Sequence, residues 1–242
     1  KLIYTIASKF SPDFNKTIIS NLKNKHEIVI ADVGFYEGTF SKNLIEQILK
    51  KQLTSSFKIF SFDPNTNISL VNFKNFVSQN NIVWRHSNSG LGDKNKNSSF
   101  TVLANFPASG SSINNILINS LWYKTRKLIF SPFSFHKTKE KVLDIKEEML
   151  DSVFDNDSLD VLKIDVEGYT KNVLIGSEKT IKNFSPIIQL EILAKKNKFK
   201  KERQDIIKFL NQYNYSLVLE KKHLSTHILS DVMCSDFLFI KN

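Results

Sequence analysis

The chain has 242 residues, 41% hydrophobic and 24% charged, the balance of a globular protein rather than a disordered or fibrous one. Its single cysteine excludes an internal disulfide framework and fits a reducing, cytoplasmic setting, and no apolar run reaches the ~20 residues of a membrane helix. The net charge of +10 invites a nucleic-acid partner, but the 34 basic residues are 31 Lys and 3 Arg beside 24 Asn, a compositional bias rather than the arginine forks of a phosphate reader.

Ser11-Pro12-Asp13 reads as an N-cap, a first-turn proline and a first-turn acid opening a helix to about Lys23. The chain starts at Lys1 rather than Met, so a trimmed chain or one cut from a longer protein is expected, and no signal peptide is visible. An apolar run predicts a strand over 27–33, then a helix over about 39–52, a strand over 57–62 and a helix near 66–79. Short strands are expected at Ile82-Val83-Trp84 and Ser99–Leu103. Residues 104–137 break the rhythm. With Trp122, Tyr123 and Phe133, this long insert reads equally as a lid over an acceptor site and as a surface flap. Lys141–Asp144 looks extended and Glu147–Phe154 helical. Strand 159–165, helix 170–184, strand 186–193 and helix 201–213 restore the alternation, and extended runs at Ser216–Glu220 and Phe237–Ile240 close it. The basic run Lys195–Lys201 reads first as a solvated loop, with a patch for an anionic acceptor such as a nucleotide sugar or phosphoglycan as the alternative. The whole predicts one Rossmann-like α/β domain over 1–242, with its core at about 27–193. Its sheet is open and mostly parallel, with helices on both faces and a strand-rich C-terminal end.

Two strand ends carry the chemistry. Val161–Gly168 is an apolar strand ending in Asp165 and Glu167, acids two apart that point the same way on an extended chain. Ligands of open α/β sheets sit beyond such carboxyl ends. Ile28–Ser41 is a strand, a turn and a helix. Gly34 permits a tight turn with no Cβ between backbone and ligand, Gly38 lets the helix start lie close to the turn's occupant, and the helix N-terminus offers free N–H groups. Asp63 ends the second strand, where ribose hydroxyls bind in nucleotide-type folds. Tyr36 replaces the middle glycine of the dinucleotide fingerprint, and no phosphate loop occurs. A cofactor with a ribose but no phosphate, S-adenosylmethionine, fits this pattern better.

With these blocks in this order, the chain resembles the FkbM-type methyltransferases. The blocks are Asp32–Ser41, Phe62-Asp63-Pro64-Asn65, Gly90-Leu91-Gly92-Asp93, Leu162–Gly176 and Pro186–Ile192, together most of the chain. The resemblance implies a class I S-adenosylmethionine-dependent fold and O-methylation of a sugar or polyketide hydroxyl. The acceptor is then a small molecule or glycan, and Asp32, Gly34, Gly38, Asp63, Ser89 and Gly90 contact the cofactor. The family usually has Asn at Tyr36, Glu at Asp63 and E-G-A-E at Glu167-Gly168-Tyr169-Thr170, so a carboxylate is missing at Thr170.

Asp165, Glu167 and Glu191 are the expected catalytic acids, as proton acceptors or, for Asp165 and Glu191, as ligands of Mg²⁺ or Mn²⁺. Glu191 reads equally as a helix-capping or Lys-paired acid. Lys163 is expected in a structural ion pair, and Cys234 as a small buried residue with no catalytic neighbour. His136, His223 and His227 fall in loops, where surface histidines outnumber bases. The alternatives are a nucleic-acid methyltransferase using the Lys-rich surface and a degenerate domain of a larger glycan-processing protein.

Overall fold

The computed structural model describes residues 13–22, 25–104, 113, 139–223 and 231–242. Its elements in chain order are α1 (Phe14–Asn21), β1 (Glu27–Val33), α2 (Thr39–Lys50), β2 (Ser56–Phe62), α3 (Val71–Gln79), β3 (Val83–Ser87), β4 (Gly90–Leu91), β5 (Lys96–Ala104), β6 (Lys139–Glu148), α4 (Leu150–Val153), β7 (Val161–Ile164), α5 (Thr170–Ile175), α6 (Glu178–Phe184), β8 (Ile187–Lys195), α7 (Lys196–Asn211), β9 (Tyr215–Lys222) and β10 (Val232–Lys241).

The main sheet has seven strands in the order β3-β2-β1-β7-β8-β10-β9. The first five run parallel, and β10 inserts antiparallel between β8 and β9. Central β1 is buried on both faces. Ile28 and Ile30 join a cluster with Ile18, Leu44, Ile48 and Phe73 of α1–α3, while Val29, Ala31 and Val33 join another with Leu150, Val173, Ile181, Ile206 and Leu210 of α4–α7. Two helical layers thus sandwich the sheet, which is why its middle strands are continuous apolar runs. Chain order reverses at the β1–β7 junction, the position where such sheets open a crevice at their carboxyl ends. A second sheet, β4-β6-β5, packs beside the first.

Several boundaries differ from the sequence reading, each for a physical reason. Asp13, rather than Ser11, caps α1, accepting from the Lys16 N–H at 3.0 Å. The helix expected over 170–184 is two helices, because Asp151 of α4 accepts from the N–H groups of Lys179 and Thr180 and so caps a new start. Glu147 lies in β6 instead of a helix, paired across the strands with Gly90 and Lys96. The basic run is not a loop: Lys196–Lys200 form the first turns of α7, held down by Phe199, Ile206 and Leu210 at helical spacing. The proposed insert, apart from Ala104 and Ile113, lies outside the described residues, as do Trp122, Tyr123, Phe133, His136 and His227. Among the described residues, no helix is long and apolar enough to cross a membrane.

Candidate active site

The turn after β1 is built by a close approach. Gly34 sits at φ +75°, and a Cβ there would stand 1.7 Å from the Asp165 carbonyl oxygen. Glycine is therefore needed by the neighbouring β7 exit, a requirement the sequence did not reveal. Gly38 likewise packs on the protein's own rings, Phe35 and Phe73, and does not line the cavity described below. Tyr36 adopts φ 50°, a left-handed conformation that asparagine tolerates better than tyrosine.

Asp32 is fully buried beneath this turn, where its Oδ2 accepts from Ser41 Oγ at 2.6 Å and its Oδ1 faces Lys163 Nζ at 3.1 Å. The same ammonium donates to the Gly34 carbonyl at 2.7 Å and lies 3.6 Å from Asp165 Oδ2. Burial raises the Asp32 carboxyl above its usual range despite Lys163. For Lys163, burial acts downward, but the acids around it win and raise its pKa. Asp32 thus anchors the turn from below and does not face the cavity.

At the carboxyl ends of β1, β2 and β7, a cavity of about 390 Å³ opens, in the usual range for a small-molecule site. Gly34 and Tyr36, Asp63 to Asn65, Ser89 to Leu91, and Asp165 to Glu167 all line it. Asp63 is 7% exposed and accepts from the N–H groups of Tyr36 at 2.7 Å and Asn65 at 2.8 Å. Burial nevertheless pushes its carboxyl upward. Each carboxylate oxygen keeps one further lone-pair site for a ligand hydroxyl. Tyr169, which also lines the cavity, donates its hydroxyl to the buried Glu147 at 3.0 Å.

Asp165, Glu167 and Glu191 come together: one carboxylate oxygen from each lies within 4.8 Å of the others. Asp165 is the open member, its side chain 45% exposed. Glu167 sits at a strained φ of 50°, and burial, then Glu191 and Asp165, raise its pKa well above the ordinary glutamate value. Burial and Asp165 push Glu191 up to about 8. Among the described residues, Glu191 neither caps a helix nor pairs with lysine. Its Oε2 accepts from Cys234 Sγ at 2.8 Å, and its Oε1 is buried without a hydrogen-bond partner among the described residues. Thr170, where the resembled family carries a carboxylate, donates to the Glu191 backbone carbonyl at 2.6 Å.

A family model, the methyltransferase FkbM domain, matches residues 32–217, most of the chain. The chain belongs to this family. Among solved structures, the FkbM domain resembles methyltransferase FkbM from Methylobacillus flagellatus KT, with a TM-score of 0.51 and 14% identity over 90% of this chain and 45% of that one. It therefore spans less than half the length of that protein. It also aligns with a precorrin-6y C5,15-methyltransferase from Geobacter metallireducens GS-15 (TM-score 0.43, 12% identity, 94% of this chain and 87% of that one). A third match is the magnesium protoporphyrin IX methyltransferase of Synechocystis PCC 6803 with bound SAH (TM-score 0.40, 9% identity, 94% and 81%). No curated protein sequence matches significantly. The mostly parallel sheet is the class I methyltransferase fold.

In this FkbM domain, Gly34, Asp63, Ser89, Gly90, Asp165 and Glu167 share one cavity, and Glu191 lies beside it without lining it. Sequence reasoning missed Tyr36 and Tyr169 as cavity walls and assigned Cys234 no neighbour. The signal for Cys234 was its period-two spacing from Asp236, which puts both side chains on one face of β10, opposite Leu193 and Glu191 of β8.

Proposed function

We propose that this domain transfers a methyl group from S-adenosylmethionine to a hydroxyl of a sugar, glycan or related small acceptor. The observation that supports it is the convergence of the Gly34–Tyr36 turn, Asp63 and the Asp165–Glu167 acids on one cavity. The residues present fit the cofactor. Val33, Phe62, Pro64 and Leu91 offer apolar walls for an adenine ring, with Ser89 and Gly90 beside them. Asp63 has acceptor capacity left for ribose hydroxyls, and the nearby acids favour a cationic ligand by Coulomb attraction. S-adenosylmethionine supplies an already activated, positively charged methyl group.

The protein's own task is alignment and proton removal. Asp165, at the tip of β7 with Lys163 beside it, is placed to accept the hydroxyl proton. Glu167, raised above the ordinary glutamate range by burial and the neighbouring acids, lines the same cavity beside it. Burial and mutual repulsion raise Glu167 and Glu191, and a retained proton or a divalent cation such as Mg²⁺ or Mn²⁺ would each relieve that repulsion. The same acids disfavour a polyanion, since a phosphodiester entering here would meet carboxylates. This counts against the nucleic-acid alternative despite the basic composition.

The test is incubation with S-adenosylmethionine and a panel of free sugars, nucleotide sugars, glycans and RNA, with mass spectrometry of the acceptors. A methyl ether on a sugar hydroxyl is the expected product. Methyl groups on nucleic-acid bases would overturn the acceptor assignment, and absence of cofactor binding by calorimetry would overturn the enzyme assignment.

A further inference from the structure

Beyond the cavity, strands β8, β9 and β10 bring together three different metal-binding chemistries. Glu191 of β8, Cys234 of β10 and His223 at the end of β9 each offer a ligating atom within 4.8 Å of the other two. The strand pairing itself creates this cluster. Glu191 stands opposite Asp236, Cys234 is two residues away on the same face, and the His223 N–H donates to the Cys234 carbonyl at 3.0 Å. Cys234 Sγ lies 2.8 Å from Glu191 Oε2. His223 Nε2 lies 2.8 Å from Asp236 Oδ2, which adds a fourth donor at the edge of the group.

A second observation points to a ligand. Glu191 Oε1 is buried and accepts no hydrogen bond from any described residue. A buried carboxylate oxygen left unpaired is costly, and a cation is one way to satisfy it. The donor set identifies the class of cation. One sulfur, one imidazole nitrogen and carboxylate oxygen suit Zn²⁺, whereas Mg²⁺ and Mn²⁺ prefer oxygen alone. Ligands bonded to one Zn²⁺ at about 2.0–2.3 Å stand no more than about 4.5 Å apart, so this cluster is a small side-chain movement from closing on an ion.

The geometry points to a Zn²⁺-class site formed by Glu191, His223 and Cys234, with Asp236 as fourth ligand or as the orienting partner of His223. On binding, the Cys234 thiol releases its proton to solvent and the sulfur takes the metal bond. The ion clamps β8, β10 and β9 together and holds Glu191 ionised beside the Asp165–Glu167 acids. This site is independent of the methyl-transfer proposal, because none of its ligands lines the cavity.

The test uses the full chain, stripped of metal and titrated with Co²⁺ as a coloured substitute for Zn²⁺. One equivalent should bind, with a thiolate-to-Co²⁺ charge-transfer band, and Zn²⁺ should displace it while excess Mg²⁺ does not. Cys234→Ser should remove the band. Cys234→Ser and His223→Gln should each weaken binding by at least the roughly 10–100-fold that loss of even an outer-shell partner costs. Asp165→Asn should leave the band and the affinity in place. The charge-transfer band of the unmutated protein stands whether or not a variant folds, and circular dichroism of each metal-free variant checks its fold. Failure to bind, or binding without the thiolate band, overturns the site. Binding that survives Cys234→Ser but is lost in Asp165→Asn would assign the ion to the oxygen-only acids instead.

Discussion

Lys163 of β7 lies directly opposite Asp32 of β1, and its ammonium stands 3.1 Å from the Asp32 carboxylate with both residues buried. Because the same group also holds the Gly34 carbonyl and approaches Asp165, one cation ties together the first strand, the glycine turn and the tip of β7. Replacing it strands a buried charge. Lys163→Met should lower stability by about 3–5 kcal/mol, read by urea unfolding, and adding Asp32→Asn should restore part of the loss. A loss below about 1 kcal/mol, the worth of a surface pair, would show that this pair does not organise the site.

Tyr36 holds a left-handed backbone conformation that costs a non-glycine residue about 1–2 kcal/mol. Its N–H, not its ring, makes the contact with Asp63. Tyr36→Asn should therefore stabilise the protein by about 1 kcal/mol in thermal unfolding and leave cofactor affinity intact. A lower melting temperature would mean that the ring's packing outweighs the strain.

Asp63 lines the cavity and braces the turn through the Tyr36 N–H. Asp63→Ala should weaken S-adenosylmethionine binding by about 1.5–3 kcal/mol, as loss of hydrogen bonds to a charged group does. Calorimetry decides the matter, and unchanged affinity would remove Asp63 from the ribose.

Asp165 is the most exposed of the three clustered acids, and its carboxylate is the one proposed to take the acceptor proton. Asp165→Asn keeps the shape and removes the base, so single-turnover rates at saturating cofactor should fall by ~10²–10⁴. Near-normal rates in both Asp165→Asn and Glu167→Gln would return these acids to a structural role.

The pH dependence of stability follows from Glu191, whose pKa is pushed up to about 8 in the folded chain. An unfolded glutamate titrates near ~4.3. Between these values the folded state binds the extra proton, so stability falls as pH rises through that window. Asp165, Glu167, Cys234 and Asp236 surround this carboxyl, and His223 adds a fall of the same sign, because Asp236 raises its pKa. In metal-free protein, Glu191→Gln should make the decline shallower in a melting series from about pH 5 to about pH 9, leaving the Glu167 and His223 components. Superimposable profiles of the two proteins would refute the assignment.

What the sequence by itself determined was what depends on neighbours along the chain. The apolar runs at 28–33 and 161–164 announced central strands, because a strand buried on both faces needs no polar alternation. The acids after those strands, the glycine turn and Asp63 could be ordered along the chain, because the crevice of an α/β sheet always lies at strand ends. Element ends were read less well. The break between α5 and α6 depends on Asp151, a capping side chain from another helix. The start of α7 within a lysine run depends on Phe199 finding the core.

Tertiary structure alone decided which groups meet. Asp32 carries the family signature, yet it is turned beneath the site by Lys163, a partner 131 positions away along the chain that β1–β7 pairing sets opposite it. Gly34 is required by the Asp165 carbonyl, an atom no local pattern reveals. Cys234 looked inert in sequence because its neighbours Glu191 and His223 lie on other strands, and the antiparallel insertion of β10 between β8 and β9 brings them into contact. Periodicity fixes which face of a strand a residue occupies; only strand order and register fix what stands beside it, and pKa values and ligand sets depend on that second choice.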